Sequence, residues 1–261
     1  LERSLAALIA KQYRIKIPKR LIKSDKEIAR LSNFIISIGG DGTFLATAKL
    51  VSSRNIPIIG VNLGMLGFLA ETSTREISTF INKLLTGEYL IDERTVLEAS
   101  PLRSNKTVYG MNEIVVNQSG IVKTIEIMVY YNNQLVNRYH ADGLILSTPT
   151  GSTGYSLSAG GPIVYPKTNV FILSPLSPHT LTARPVILPD NGVFKVIINS
   201  RVPVNIVADG NSIIKLISPA IIEFRKAPYK IKIAKSVNSN YFKVLTGKLL
   251  WGEDKRKKSR V

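Results

Sequence analysis

The stretch Ile35-Ile36-Ser37-Ile38-Gly39-Gly40-Asp41-Gly42-Thr43-Phe44-Leu45 joins an apolar run to three glycines around one carboxylate. The apolar run is typical of a buried strand, and a helical pattern follows it. Backbone N–H groups at a helix start attract anions, and glycines let a phosphate approach closely. A carboxylate repels phosphate unless a metal or a reacting hydroxyl lies between, so the segment indicates phosphoryl transfer, with Asp41 as metal-linked acid or proton acceptor. The alternative is a tight strand-to-helix turn with an aspartate near the N-cap.

The residues around this segment alternate between strand and helix patterns. Strands are predicted at 33–38 and 56–61, and apolar residues recur at helical spacing over 44–53 and 77–85. Ser73 and Glu76 form a predicted capping box before the second helix, and Gly87 is expected to end it. This order is typical of a parallel sheet, so an α/β, Rossmann-like N-terminal domain is predicted over 1–95.

Short β patterns dominate from about residue 89 onward. Gly, Pro, Asn and Asp separate them, and Asn132-Asn133 is expected to be a hairpin turn. The predicted strands cover 108–116, 125–131, 134–140, 194–199, 204–208, 213–216, 220–225 and 231–234. The pattern predicts an all-β, sandwich-like domain over 96–240, followed by a C-terminal segment over 241–261 that carries a basic tail.

The composition is that of a globular protein, with 44% hydrophobic and 20% charged residues among 261. No apolar run approaches the roughly 20 residues of a membrane span, and the start of the chain has no cleavage-site pattern of a signal peptide. The absence of cysteine excludes disulfides, thiolate zinc sites and cysteine nucleophiles. The expected location is the cytoplasm.

The formal charge of +17 is large and is concentrated in part at Lys255-Arg256-Lys257-Lys258-Ser259-Arg260. A basic surface binds phosphate backbones without any motif, and it also steers anionic nucleotides toward a site. No RNA-binding signature accompanies the charge, and basic tails are usually solvated. A nucleic-acid partner is therefore not expected.

Two further segments carry chemistry. The block from Ala141 to Pro162 runs from an apolar strand into a loop of hydroxyls and glycines around Tyr155, which can donate hydrogen bonds to phosphate or sugar. The pair Asn112-Glu113 opens a strand and can clamp the two hydroxyls of a ribose. The alternatives are a flexible Ser/Gly linker for the block and a surface polar pair for Asn112-Glu113. Walker and Gly-x-Gly-x-x-Gly spacings are absent.

Together these segments resemble the NAD kinase family. Its marks are Gly-Gly-Asp-Gly-Thr, an Asn-Glu or Asn-Asp pair, and a long Asp-Gly…Thr-Pro-Thr-Gly-Ser-Thr-Ala/Gly-Tyr-Ser…Ala-Gly-Gly-Pro block, all of which occur here in order. The resemblance runs from about residue 33 to 233 and includes Asn62-Leu63-Gly64 with Gly67-Phe68-Leu69. It implies transfer of a phosphoryl group from ATP or polyphosphate to the 2′-hydroxyl of the adenosine ribose of NAD.

The resemblance also implies roles for individual residues. Asp41 is the proton acceptor, with Gly42 beside it in the nucleotide site. Asn112 and Glu113 hold the adenosine-side ribose and phosphates, and Asp142 contacts the nicotinamide half. The remaining implied positions are the phosphate loop Gly39, Gly40, Gly42 and Thr43, the adenine and ribose pocket Thr153, Gly154, Tyr155 and Ser158, a charge on the diphosphate from Lys123, and binding positions at His140 and Asn211.

The resemblance implies a divalent metal, expected to be Mg²⁺, with no protein side chains assigned as its ligands. It also implies a homodimer or homotetramer. Two alternatives remain open at this point: a diacylglycerol-type lipid kinase, because Gly-Gly-Asp-Gly-Thr suits that class too, and a non-catalytic nucleotide- or nucleic-acid-binding protein. The Asp41 carboxylate argues against a pure anion binder, which gains nothing from it.

Overall fold

The structure, a computed structural model, describes residues 23–119 and 124–250. Its α-helices are α1 (Asp25–Leu31), α2 (Asp41–Val51), α3 (Ile77–Leu85), α4 (Tyr155–Ser158) and α5 (Tyr241–Leu249). Its strands are β1 (Ile35–Ile38), β2 (Ile58–Asn62), β3 (Thr72–Ser73), β4 (Tyr89–Pro101), β5 (Val108–Gly110), β6 (Glu113–Gln118), β7 (Ile125–Tyr131), β8 (Gln134–Ala141), β9 (Gly143–Ser147), β10 (Val170–Leu176), β11 (Val186–Pro189), β12 (Phe194–Asn199), β13 (Val204–Ala208), β14 (Ser212–Leu216) and β15 (Ala220–Ser236).

The chain divides into two compact units. The first holds the described residues up to Asp92 and those from Ile231 onward, and the second runs from Glu93 to Lys230. The sequence-based boundary at 95 lies close to the first division, but the division at 231 differs from the predicted 240. The reason is that the last residues of β15 pair with β2 inside the first unit.

Parallel pairing organises the first unit. β1 lies parallel to β2, and β2 lies parallel to β3 and to the end of β15. All five residues of β2 are buried, as expected for a strand covered on both faces. The buried side chains that pack together are Ile59, Val61, Phe80 and Ala234. The predicted α/β character of this part of the chain is confirmed.

The second unit is built from antiparallel strands. One sheet has the order β11-β10-β9-β6-β13-β14, and in the other part β12 lies between β7 and β15 while β8 pairs with β7. Apolar side chains from both sets pack into one core, among them Ile114, Leu144, Val196 and Ile222. The turn at Asn132-Asn133 has φ of 48° and 65°, as a two-residue hairpin requires, and this predicted turn is confirmed.

Several predicted elements have different bounds in the structure. Helix α2 begins at Asp41 rather than at 44, because Gly40 serves as its N-cap. The strand predicted at 108–116 is two strands, β5 and β6, and those predicted at 220–225 and 231–234 are one strand, β15. Strands β4, β10 and β11 and helices α1 and α5 have no counterpart among the predictions. The basic tail lies outside the described residues.

The predicted capping box at Ser73 and Glu76 is wrong in one half. The Ser73 N–H donates to the Glu76 carboxylate at 3.0 Å, but the Ser73 hydroxyl also donates to it, at 2.6 Å, instead of capping the helix. Helix α3 begins at Ile77, so Ser73 is too far upstream to be its N-cap. Gly87, with φ of 82°, follows the helix as predicted. Within the described residues, no helix is long and apolar enough to cross a membrane.

Candidate active site

Asp41 is the first residue of α2, and its side chain turns away from its own helix. Oδ2 accepts a hydrogen bond from Phe68 N–H at 3.0 Å, and Oδ1 accepts from Leu69 N–H at 3.0 Å and Ala70 N–H at 3.3 Å. Three backbone donors therefore hold the carboxylate in one orientation. The turn between β1 and α2 is tight and places Asp41 next to the N-cap Gly40, as the alternative interpretation expects, but the Asp41 side chain binds the loop amides rather than its own helix.

Gly67 lies directly against the Asp41 carboxylate. A Cβ at residue 67 would collide with Oδ1 of Asp41, whereas a Cβ at Gly64, in the same loop, would meet nothing within 4 Å. The predicted glycines around the start of α2 also differ in whether they leave room for a side chain. A Cβ at Gly39, where φ is 151°, would collide with Thr43, while Gly40 and Gly42 face open space.

The start of α2 is an accessible helix N-terminus. The first N–H groups of a helix have no partner within it, and a partial positive charge accumulates there. Gly42 and Thr43 are exposed, and Gly40 and Gly42 leave room in front of these donors. The segment thus combines anion-binding amides with one fixed, half-buried carboxylate at Asp41.

In the second unit, Asp209 organises the Asn112-Glu113 pair. Its carboxylate accepts from three consecutive backbone amides: Met111 N–H at 2.7 Å, Asn112 N–H at 2.9 Å and Glu113 N–H at 3.1 Å. In return, Asp209 N–H donates to the Glu113 carbonyl at 3.1 Å. These bonds interrupt the strand between β5 and β6. Asp209 is not among the residues predicted from the sequence, although its place in an Asp-Gly turn, with φ of 47°, marks an unusual backbone.

Glu113 is buried, and its pKa is raised to about 7. Burial is the largest cause, the negative charge of Asp209 adds to it, and a hydrogen bond from Tyr155 N–H partly offsets both. Among the described residues, Glu113 Oε2 and Asn112 Oδ1 are buried oxygens without a hydrogen-bond partner. A Cβ at Gly154 would lie 3.1 Å from Glu113 Oε2, so these groups border the hydroxyl-rich block.

Most hydroxyls of the block stabilise the protein itself. Thr148 donates to the Met111 carbonyl at 2.6 Å, Ser152 donates to the Pro149 carbonyl at 2.7 Å, and Ser156 bonds with Ser174 at 3.3 Å. The block is an ordered turn of 3₁₀ helix followed by α4, so the flexible-linker alternative is wrong. The predicted contact residues are the more accessible ones: Thr153 and Gly154 are partly buried, and Tyr155 and Ser158 are exposed.

The remaining predicted residues differ in their positions relative to this group. Asp142 precedes β9, whose opposite end, Ser147, pairs with Glu113, so about 13 Å of strand separates them. His140 is exposed on β8 and lines a cleft with Arg201. The Asn211 side chain donates to the Asp209 carbonyl at 3.0 Å and so supports the turn. Lys123 lies outside the described residues.

The described residues contain no group of three or more His, Cys, Asp or Glu side chains that could by themselves coordinate a metal ion. Asp41 retains roughly one free lone pair after its three hydrogen bonds, out of about four on a carboxylate. Mg²⁺ commonly takes one or two carboxylates and otherwise water and substrate phosphates. The residues present therefore fit a Mg²⁺ ion that is carried chiefly by nucleotide phosphates.

Two known protein families match the chain. The ATP-NAD kinase N-terminal domain matches residues 10–89, and the ATP-NAD kinase C-terminal domain matches residues 111–236. Both matches include the predicted motifs, with Asp41 in the first and with Asn112, Glu113 and Tyr155 in the second, and the second also includes Asp209.

Individual relatives agree with this. The chain is 40% identical to the NAD kinase of Flavobacterium psychrophilum over 260 residues, which cover 98% of this chain and 88% of that protein. It is also 40% identical to the NAD kinase of Sulfurimonas denitrificans, over 88% of this chain and 81% of that protein. Among solved structures, yeast NADH kinase complexed with NADH matches with a TM-score of 0.82, at 26% identity, over 89% of this chain and 70% of that one.

A second solved structure, an NAD kinase from Archaeoglobus fulgidus in complex with ATP, matches with a TM-score of 0.75, at 29% identity, over 86% of this chain and 85% of that one. Sequence, family and structural comparisons thus agree over nearly the whole chain, and the resemblance seen in its motifs is confirmed. The chain belongs to the NAD kinase family.

Proposed function

We propose that the protein transfers the terminal phosphoryl group of ATP, or of polyphosphate, to the 2′-hydroxyl of the adenosine ribose of NAD and so makes NADP. The observation that carries this proposal is the Asp41 carboxylate, which three backbone amides fix at the start of an open helix N-terminus. Such an arrangement suits a reaction in which a hydroxyl must be oriented beside a phosphoryl group.

Asp41 has one principal task in this scheme. Its remaining lone pair accepts a hydrogen bond from the 2′-hydroxyl and directs the hydroxyl oxygen toward the phosphorus. As the new O–P bond forms and the bond from phosphorus to the donor oxygen breaks, the hydroxyl proton passes to Asp41. In a loose phosphoryl-transfer transition state the oxygen carries little new charge until late, so orientation matters more than base strength. The N–H groups at the start of α2 then stabilise the negative charge on the transferred group, and the exposed Gly42 leaves space for it.

A divalent metal, proposed to be Mg²⁺, neutralises the donor phosphates when bound. The described residues offer no cluster of side-chain ligands, so the ion would be held chiefly by the donor phosphates and water. The remaining lone pair of Asp41 is left for the acceptor hydroxyl.

The second unit is proposed to bind NAD. The buried oxygens of Asn112 and Glu113 lack partners within the described residues and suit the hydroxyls of a ribose, which donate hydrogen bonds. Exposed Tyr155 offers a ring for the adenine. The further proposed contacts are Lys123, His140, Asp142, Thr153, Gly154, Ser158 and Asn211.

We also propose that the βαβ segment β1-α2-β2 makes the first unit Rossmann-like and that the two packed sheets make the second unit a sandwich-like domain. The parallel register of β1 with β2 and the shared core of the second unit support these assignments. A homodimeric or homotetrameric state and a cytoplasmic location stay predictions.

The test is a coupled assay of NADP formation from NAD, Mg²⁺ and ATP, run with wild type and with Asp41→Asn. An asparagine NH₂ would face a backbone donor, so turnover should fall by about 100-fold or more while NAD binding is kept. Asp25→Asn, at the first position of α1, is the matched control and should leave turnover unchanged. Retained turnover together with weak NAD binding in Asp41→Asn would overturn the assignment.

A further inference from the structure

A cavity of about 560 Å³ lies within the first unit, away from the residues assigned to NAD or ATP. Its walls come from α3, the end of β15, the start of α5 and the segment that runs from Leu66 to Thr72. None of the candidate-site residues named from the sequence lines it. Its volume is within the range of sites that hold small organic molecules.

The wall of the cavity has a large apolar part. Leu66 and Leu69 line it from the loop, Phe80 lines it from α3, and Val244 lines it from α5. Leu69, Phe80 and Val244 are more than nine-tenths buried and present only a small part of their surface to the cavity, whereas Leu66 is half-buried. An apolar or ring-shaped ligand would contact these side chains. A bare inorganic ion would leave this part of the wall unused.

The same wall carries four cationic side chains, and three of them, Arg75, Lys83 and Lys243, belong to this argument because Lys235 is paired with carboxylates. No salt bridge joins any of the three to a carboxylate in the described part of the chain. Arginine and lysine together are the usual partners of phosphoryl groups. These cations are therefore available to a negatively charged ligand.

The carboxylates near the cavity are already engaged. Glu71 accepts from Lys235 at 2.5 Å and from the Ser239 hydroxyl at 2.6 Å, and Asp92 lies 3.0 Å from the same Lys235 nitrogen. Glu76 is held by Ser73, which lowers its pKa and keeps it ionised. Lys235 is thus paired with two carboxylates, and Glu76 is the remaining carboxylate of the cavity wall that faces the three cations.

We propose that this cavity binds a small organic phosphate, with its phosphoryl group against Arg75, Lys83 and Lys243 and its apolar or ring portion against Leu66, Phe80 and Val244. Such a ligand would also contact the loop that holds Asp41 in the candidate active site. Leu66, Leu69 and Thr72 line the cavity, and the amides of Phe68, Leu69 and Ala70 hold Asp41. A ligand there would therefore modulate turnover, a consequence that rests on the proposed role of Asp41.

Phenyl phosphate is the probe, because it carries a phosphoryl group and an apolar ring but does not resemble a dinucleotide. Backbone amide NMR spectra of the full-length protein should show saturable shifts at Thr79, Lys83 and Val244, with affinity of about 1 mM, and inorganic phosphate should bind more weakly. The double variant Lys83→Ala with Lys243→Ala should weaken binding by about tenfold or more. Lys248 lies on α5 like Lys243 but outside the cavity, so the Lys248→Ala variant should bind phenyl phosphate as wild type does.

Three results would overturn the proposal: no saturable shift at these amides, equal binding by the double variant and wild type, or shifts confined to residues 39–43. Arg75→Gln supplies a second variant should the double variant unfold, and it should also weaken binding. Amide shifts do not depend on catalysis. A protein that binds phenyl phosphate in the cavity but makes no NADP would keep this proposal and refute the proposed function.

Discussion

Glu113 and Asp209 are two neighbouring carboxyl groups in the second unit, and their environments favour different charge states. Asp209 accepts three backbone hydrogen bonds, which favour its charged form. Glu113 is buried beside that charge, which favours its neutral form and raises its pKa to about 7. A neutral Glu113 can donate a hydrogen bond to a nucleotide, and an ionised one can only accept.

The raised pKa of Glu113 predicts a pH-dependent stability. Between pH 4.5 and about 7 the folded chain keeps a proton that the unfolded chain has lost. The free energy of unfolding therefore falls as pH rises through this window, by roughly 3 kcal/mol in total. Glu113→Gln, which is neutral throughout, should lack this loss, so its stability relative to wild type should increase from pH 5 to pH 8.

Urea denaturation at a series of pH values measures this difference. Glu223→Gln, on β15 in the same unit, is the control and should follow the wild-type curve. Parallel pH profiles for wild type and Glu113→Gln would show that Glu113 is ionised in the folded protein like an ordinary carboxylate, and the assigned effect of burial would be wrong.

At the scale of elements, the loop from Asn62 to Ala70 is the partner of helix α2. The helix positions Asp41, and the loop supplies the three amides that hold it. Gly67 allows this approach because any side chain at residue 67 would occupy the space of the carboxylate. Gly67 therefore contributes to the position of Asp41, and Gly64 makes no such contact.

Gly67→Ala and Gly64→Ala form a matched pair that tests this arrangement. The added methyl at residue 67 must displace Asp41, so turnover should fall by about 100-fold, as expected for a misplaced group. The same methyl at residue 64 meets nothing and should leave turnover within about twofold of wild type. Kinetics of NADP formation would measure both. Equal activity of the two variants would contradict the contact.

At the scale of the whole molecule, one unit is formed by a single stretch of the chain and the other by two separate stretches. The second unit is one uninterrupted stretch from Glu93 to Lys230, and the members of its large core cluster all lie within it. The first unit needs the end of β15 and helix α5, which return to it after the second unit is complete. Ala234 belongs to its buried cluster.

This difference predicts unequal behaviour of fragments. Residues 93–230 expressed alone should give a cooperative thermal transition, because the fragment keeps its core and its antiparallel pairing. Residues 23–92 alone should not, because β2 loses its parallel neighbour from β15. Circular dichroism melts of both fragments would test this, and a cooperative transition of 23–92 would contradict the dependence on β15.

Local patterns predicted much of this architecture. The strands 125–131, 194–199 and 204–208 match β7, β12 and β13, because strict alternation and flanking turn residues are local properties of the chain. The glycine-flanked Asp41, the Asn112-Glu113 pair and the hydroxyl-rich block also identified the family, since such motifs are contiguous in sequence.

Contacts between distant residues were decided only by the tertiary structure. Asp209 binds the amides of residues 111–113 across about a hundred positions, and Asp41 binds amides some 28 positions away, so no local pattern marks either contact. The same applies to the pKa of Glu113, which depends on burial and on Asp209. Sequence determined which groups could perform the chemistry, and folding decided which of them meet, because hydrogen bonding and burial depend on distance in space rather than along the chain.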